Sequence, residues 1–118
     1  MDKRPITIFC DIDGTLVTHN KPTEQYFNKL KLLEGTLEKI LEWDKLGYTI
    51  ILTTGRKESL RKTTEYQLSE TGIIYDQLIM GIGGGMRYLI NDRKPQGSKD
   101  YAIAINLERN KGIKNINI

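Results

Sequence analysis

The chain is short of several things, and each shortage excludes something. It has one cysteine, Cys10, so no internal disulfide can form and a reducing compartment is the natural expectation. Cys10 closes an apolar run, where a thiol reads as a small buried hydrophobe. There is one histidine, His19, read as a loop residue without a special role, and one tryptophan, Trp43, read as packing or interface. No stretch approaches the length of a membrane span. The N-terminus passes from Met-Asp-Lys-Arg-Pro into a run of apolar-leaning residues too short for a signal peptide core. A cytoplasmic protein with no membrane partner is therefore expected. Charge of one sign is also scarce. The net charge is +3 with a pI near 9.0, and the basic residues are spread along the chain. That suits an anionic substrate but makes nucleic acid an unlikely partner.

What is present fits one soluble globular domain over residues 1–118, with a polar tail from about residue 110 expected to fray. Hydrophobic residues make up 38% and charged residues 28%, which separates the chain from disordered sequences. No repeat, low-complexity tract or linker interrupts it.

Ile6–Cys10 reads as a buried strand that stops at Asp11-Ile-Asp-Gly-Thr. Residues 17–33 read poorly, with a turn at Asn20-Lys21-Pro22; residues 20–33 are left open as a partial lid. Thr36 is placed as the cap of a helix with Leu37, Ile40, Leu41 and Leu46 on one face, ending at Gly47. Residues 48–53 form a second strand, apolar enough to be buried on both faces. A second helix spans about 57–70, with Leu60, Thr64 and Leu68 at four-residue spacing and Gly72 as terminator. Residues 75–80, 87–91 and 102–107 read as three more strands, with a glycine loop at 81–85. Strands separated by helical patterns imply right-handed crossovers, hence an α/β fold: a Rossmann-like three-layer sandwich on a mainly parallel sheet of about five strands.

In such sheets the binding crevice lies outside the carboxyl ends of the strands. Asp11 and Asp13 follow the first strand, Thr54 the second and Asp92 the fourth, so all fall at one edge. Two carboxylates at i and i+2 beyond a buried strand are costly unless neutralised, and a hard cation such as Mg²⁺ does this with oxygen ligands. One aspartate can then attack phosphorus, and the other can handle protons. Gly14 allows a sharp turn and a close approach to phosphate. Thr54 offers a hydroxyl, and the N–H groups around Gly55 offer an anion site. Arg56 is a candidate phosphate contact, with a surface ion pair as the alternative.

These residues carry a resemblance. Asp11-Ile12-Asp13-Gly14-Thr15 after a β-run resembles the first signature of the haloacid dehalogenase superfamily of phosphohydrolases. Ile50-Ile-Leu-Thr-Thr54-Gly-Arg56 is similar to its second. The resemblance implies Asp11 as nucleophile and metal ligand, and Asp13 as acid/base with its main-chain carbonyl also on the metal. It implies Thr54 as the group holding the phosphoryl unit and Mg²⁺ as the cofactor. It further implies Asp92, with Asn91 as a weaker partner, among the ligands after the fourth strand. Either Arg87, the preferred residue, or Lys94 would be the basic group.

No insertion is long enough for a cap domain, so a capless enzyme is expected, its open site closed by a neighbouring copy or used on a large substrate. The preferred activity is hydrolysis of a small phosphate monoester, such as a sugar phosphate, through an aspartyl-phosphate. The alternatives are a nucleic-acid-end phosphatase and a non-catalytic phosphate-binding or regulatory domain.

Overall fold

A computed structural model describes residues 4–95, 97 and 99–118. Its elements follow in the order β1 (Thr7–Asp11), α1 (Thr36–Lys45), β2 (Thr49–Thr53), a 3-10 turn (Glu58–Leu60), α2 (Arg61–Thr71) and β3 (Gln77–Ile79). The three strands are parallel in the order β1-β2-β3, and Asp11 lies level with Thr53, which lies level with Ile79. The carboxyl ends of all three strands therefore meet at one rim.

The alternation of side chains along each strand explains where the core sits. Ile8, Cys10, Ile50, Leu52 and Leu78 share one face and form a single core with Ile40 and Trp43 of α1 and Leu68 of α2. Trp43 is one of its largest buried side chains. Each fully buried side chain of this size contributes about 1.5–3 kcal/mol. Both crossovers step one strand in the same direction, and a right-handed connection then places α1 and α2 on the same face. On the other face Phe9 is 53% exposed and Ile79 39%, while Ile51 is buried outside that core.

Helix boundaries follow local chemistry, with one difference from the sequence reading. Thr36 does not cap α1; Gly35 does, in a left-handed conformation without a side-chain cap bond. The Thr36 hydroxyl, fully buried, instead donates to the Leu16 carbonyl at 2.8 Å. Gly72 ends α2 with φ 84°, as its position suggests. Leu60, Thr64 and Leu68 all face inwards, and Leu41 and Leu46 are exposed.

Two expectations are corrected. Among the described residues the sheet has three strands rather than five, with both helices on one face: 87–91 and 102–107 form no strand. A parallel crossover needs about a dozen residues, and only the glycine-rich stretch from 80 to 86 separates β3 from residue 87. The tail from 110 does not fray. Ile113 is 1% exposed within the core, and the Asn110 N–H donates to the Gly14 carbonyl at 2.8 Å. Among the described residues, no helix is long and apolar enough to cross a membrane.

Candidate active site

The loop after β1 is built by three apolar residues that pull it into the core. Ile12, Leu16 and Val17 are fully buried, and the Ile12 carbonyl accepts the N–H groups of Thr15, Leu16 and Val17 at 3.1, 2.9 and 3.2 Å. Anchoring these positions turns the intervening Asp11, Asp13 and Thr15 towards a cleft of about 750 Å³ at the sheet rim. Gly14 stands at φ 84° between them, where a Cβ would lie 3.2 Å from the Arg109 side chain. Its conformation favours glycine and its space allows little else.

Asp11 is partly buried, and burial raises its carboxyl above the ordinary range. An N–H from Ile12 and the Arg87 guanidinium act against that rise, and the neighbouring Asp13 adds to it. Arg87 stands 3.8 Å from one Asp11 oxygen, and the Thr15 hydroxyl donates to the other at 3.4 Å. Cys10, next to it in the core, has its thiol pushed up to about 12 by burial first and by Asp11 second, so it is inert.

Asp13 is held differently. Arg56 Nε donates to one of its oxygens and Nη2 to the other, both at 2.9 Å, and the Asn20 amide donates at 3.2 Å. The Arg56 side chain has no exposed surface. Its Nη1 donates to the Thr64 hydroxyl at 3.2 Å and to the Gln67 side-chain oxygen, Oε1, at 2.7 Å. The Gln67 amide in turn donates to the Gln25 and Asn28 carbonyls at 2.9 Å each. Asn28 closes the ring through its 3.4 Å bond to Asn20. A continuous hydrogen-bonded circuit thus runs from Asp13 through α2 to the 20–28 loop and back. That loop brings Asn20, Pro22, Gln25 and Tyr26 to the cleft wall.

Of the residues named from sequence, Asp11, Asp13, Thr54, Gly55, Arg56 and Arg87 all line this cleft. Thr54 is buried, its hydroxyl oxygen accepting the Arg56 N–H at 3.1 Å. Arg56 is not a surface pair: its guanidinium is buried and bonded to Asp13, Thr64 and Gln67 at the cleft wall. Asn91, Asp92 and Lys94 do not line the cleft. The Lys94 ammonium lies 2.9 Å from an Asp92 oxygen and holds that exposed carboxyl below its ordinary range, and the Asn91 amide donates to the Tyr101 carbonyl at 3.4 Å. Sequence reasoning missed Arg109, Gln25 and the wall position of His19. The His19 N–H is held by the Asn110 side chain at 2.8 Å, across 91 residues.

The residues suit a hard divalent cation of the kind that keeps most of its water. Asp11 is a partly buried carboxylate with, among the described residues, no cationic side chain closer than the Arg87 guanidinium at 3.8 Å, and Mg²⁺ typically uses one or two protein carboxylates with water and phosphate. Asp13 would contribute through its main-chain carbonyl, since its carboxylate is committed to Arg56. Among the described residues, no group of three or more His, Cys, Asp and Glu gathers as a closed metal cage.

Residues 8–80 match the family described as haloacid dehalogenase-like hydrolases. The chain belongs to this family. The match spans β1 through β3 and therefore contains Asp11, Asp13 and Thr54. No curated protein matches the sequence. Among solved structures, the chain is similar to a chain of a Pnkp1/Rnl/Hen1 complex, with 26% identity and a TM-score of 0.59. A second such chain, from a Pnkp1/Rnl/Hen1 RNA repair complex, has 28% identity and a TM-score of 0.58. These alignments cover 74% and 70% of this chain but only 32% and 28% of the other chains, so this sequence spans about a third of their length. A Vibrio cholerae protein of 20% identity and TM-score 0.52 matches over 85% of this chain and 90% of its own, which supports the fold alone.

Proposed function

We propose that this haloacid dehalogenase-like hydrolase cleaves phosphate monoesters through a covalent aspartyl-phosphate on Asp11. The observation that carries the reading is the contrast between the two aspartates. Asp11 presents a carboxylate to the cleft with the Arg87 guanidinium 3.8 Å away, whereas both oxygens of Asp13 are fixed by Arg56. A nucleophile must be free to move onto phosphorus, and a proton-transfer group must be held in register.

In the first step an Asp11 oxygen bonds to phosphorus as the ester P–O bond breaks, and Asp13, which enters the step protonated and leaves it as the carboxylate that Arg56 grips, delivers its proton to the leaving oxygen. In the second, Asp13 takes a proton from water, whose oxygen displaces Asp11 and releases phosphate. Arg87 and the Thr54 hydroxyl would neutralise and orient the phosphoryl oxygens. A bound Mg²⁺, held by Asp11 and the Asp13 carbonyl, would supply Lewis-acid stabilisation of the phosphoryl charge.

The cleft volume lies within the range of small-ligand sites, which supports a small phosphorylated metabolite such as a sugar phosphate. A second reading, phosphatase action on nucleic-acid ends, draws on the RNA repair complex among the similar structures and on Lys57, Arg87 and Arg109 around the cleft. A steep fall in activity with salt on a polynucleotide, absent on a small ester, would favour it. The single buried thiol suits a reducing cytoplasm.

The test is hydrolysis of a panel of small phosphate monoesters and phosphorylated oligonucleotides, with Mg²⁺ or EDTA, by wild type and Asp11→Asn. Metal-dependent turnover lost in the variant supports the proposal. No turnover on any member favours a non-catalytic phosphate-binding domain.

A further inference from the structure

The 13.6 kDa chain exposes far more surface than its mass requires. A compact monomer of this size exposes about 6,600 Å², whereas this one exposes 8512 Å². The surplus of roughly 1,900 Å² is more than twice the ~800 Å² that each partner gives up in a standard protein interface. The radius of gyration agrees, at 15.0 Å against about 13.5 Å for a compact chain of this length.

Much of the exposed apolar surface has one address. Two legs, 86–95 and 99–107, run beside each other, joined by Asn91 to Tyr101 at 3.4 Å and Arg93 to Asp100 at 2.7 Å. Met86, Tyr88 and Ile90 on the first are 81–88% exposed, and Ile103 and Ile105 on the second are 76% and 50%. The second leg carries Ile103, Ile105 and Leu107 at strand period, a pattern that buries one face of a half-covered strand. The legs are not free to fold elsewhere. Arg87 at one end reaches Asp11, and Asn110, just past the other, bonds Gly14. The same molecule holds the complementary surface: β1 is an edge strand among the described residues, and its half-exposed Phe9 shares the sparsely covered sheet face with Ile79, which lies across β2 on β3.

We propose that the two legs 86–95 and 99–107 form an arm that docks on a second copy of this chain, each copy's arm lying along the open β1 edge and the sheet face of the other that carries Phe9 and Ile79. An isologous two-fold contact satisfies both surfaces at once, arm on edge and edge on arm. It also removes an exposed apolar edge strand, which otherwise templates aggregation. The surplus exceeds what a standard interface takes from each partner, which leaves room for both contacts. The inference rests on surface and topology and is independent of the reaction.

Sedimentation velocity and light scattering on the full chain, over a hundredfold dilution series, test it. The expected particle is at least twice 13.6 kDa, and Ile90→Lys with Ile103→Lys reduces it to a single chain. Both side chains are exposed in one copy, so the circular dichroism of the variant should be unchanged. As a separate check, Phe9→Cys copies mixed with differently tagged Ile103→Cys copies should give a mixed disulfide under mild oxidation. A single-chain mass throughout the series, or an assembly that neither the double substitution nor the cysteine pair detects, overturns the proposal.

Discussion

Arg56 grips Asp13 through two parallel 2.9 Å hydrogen bonds, with a guanidinium that has no exposed surface. A planar fork fixes direction as well as charge, and an ammonium cannot reproduce it. Arg56→Lys is therefore expected to lower kcat by about 10- to 100-fold with little change in KM, because proton transfer is misaligned while phosphate contacts persist. Arg56→Met leaves buried polar partners behind and should cost roughly 3–5 kcal/mol in a urea unfolding curve. Equal loss of activity and stability in both variants would reduce Arg56 to a purely structural ion pair.

Gln67 joins the Arg56 guanidinium to the 20–28 loop. Gln67→Leu keeps the shape but abandons the bonds to the Gln25 and Asn28 carbonyls. Amide exchange in residues 20–28 should accelerate, and stability should fall by about 1–3 kcal/mol from the unsatisfied groups left behind. Unchanged exchange would mean that the loop is held by other contacts.

Asp11 places an acid-side signature on the metal-free protein. Its folded carboxyl lies above the ordinary 3.8, chiefly through burial. The native state therefore keeps its proton at pH values where the unfolded chain has lost it. The stabilising contribution is complete below 3.8 and is lost as pH rises through the folded value. Asp11→Asn removes that loss, so at neutral pH the variant should melt a few degrees higher while being inactive. A variant that melts lower than wild type at neutral pH, and equally so at pH 3, would contradict this.

Arg87 and Lys94 separate by position. Arg87→Ala should reduce kcat/KM by about 100- to 1000-fold, the range for removing one donor to a developing oxyanion. Lys94→Ala should leave it within about twofold, because Lys94 stands on the exposed Asp92 outside the cleft. Steady-state kinetics on any accepted ester decides between them.

The sequence was most legible where the chemistry is local. A buried run ending in Asp11-Ile-Asp13-Gly14 and another ending in Thr54-Gly55 announce strand ends, and parallel pairing brings them together without further information. The buried role of Arg56 was not legible, because its partners Asp13 and Gln67 stand 43 and 11 residues away and nothing local marks it as interior. Residues 87–91 and 102–107 carry strand composition but lack the crossover that would bring them into the sheet. Ile113 and Asn110 lie in a polar stretch, and only the closed loop after β1 gives them a place to bind.

The central claim is that Asp11 carries the phosphoryl group. Acid quench within the first turnover, with Mg²⁺ and an accepted ester, followed by peptide mass mapping, tests it most directly. The account predicts an acyl phosphate on the peptide containing Asp11, absent from Asp11→Asn and present in greater amount in Asp13→Asn if the second step is the one slowed. Turnover with no phosphopeptide at any time, and with inversion of configuration at phosphorus, would contradict it.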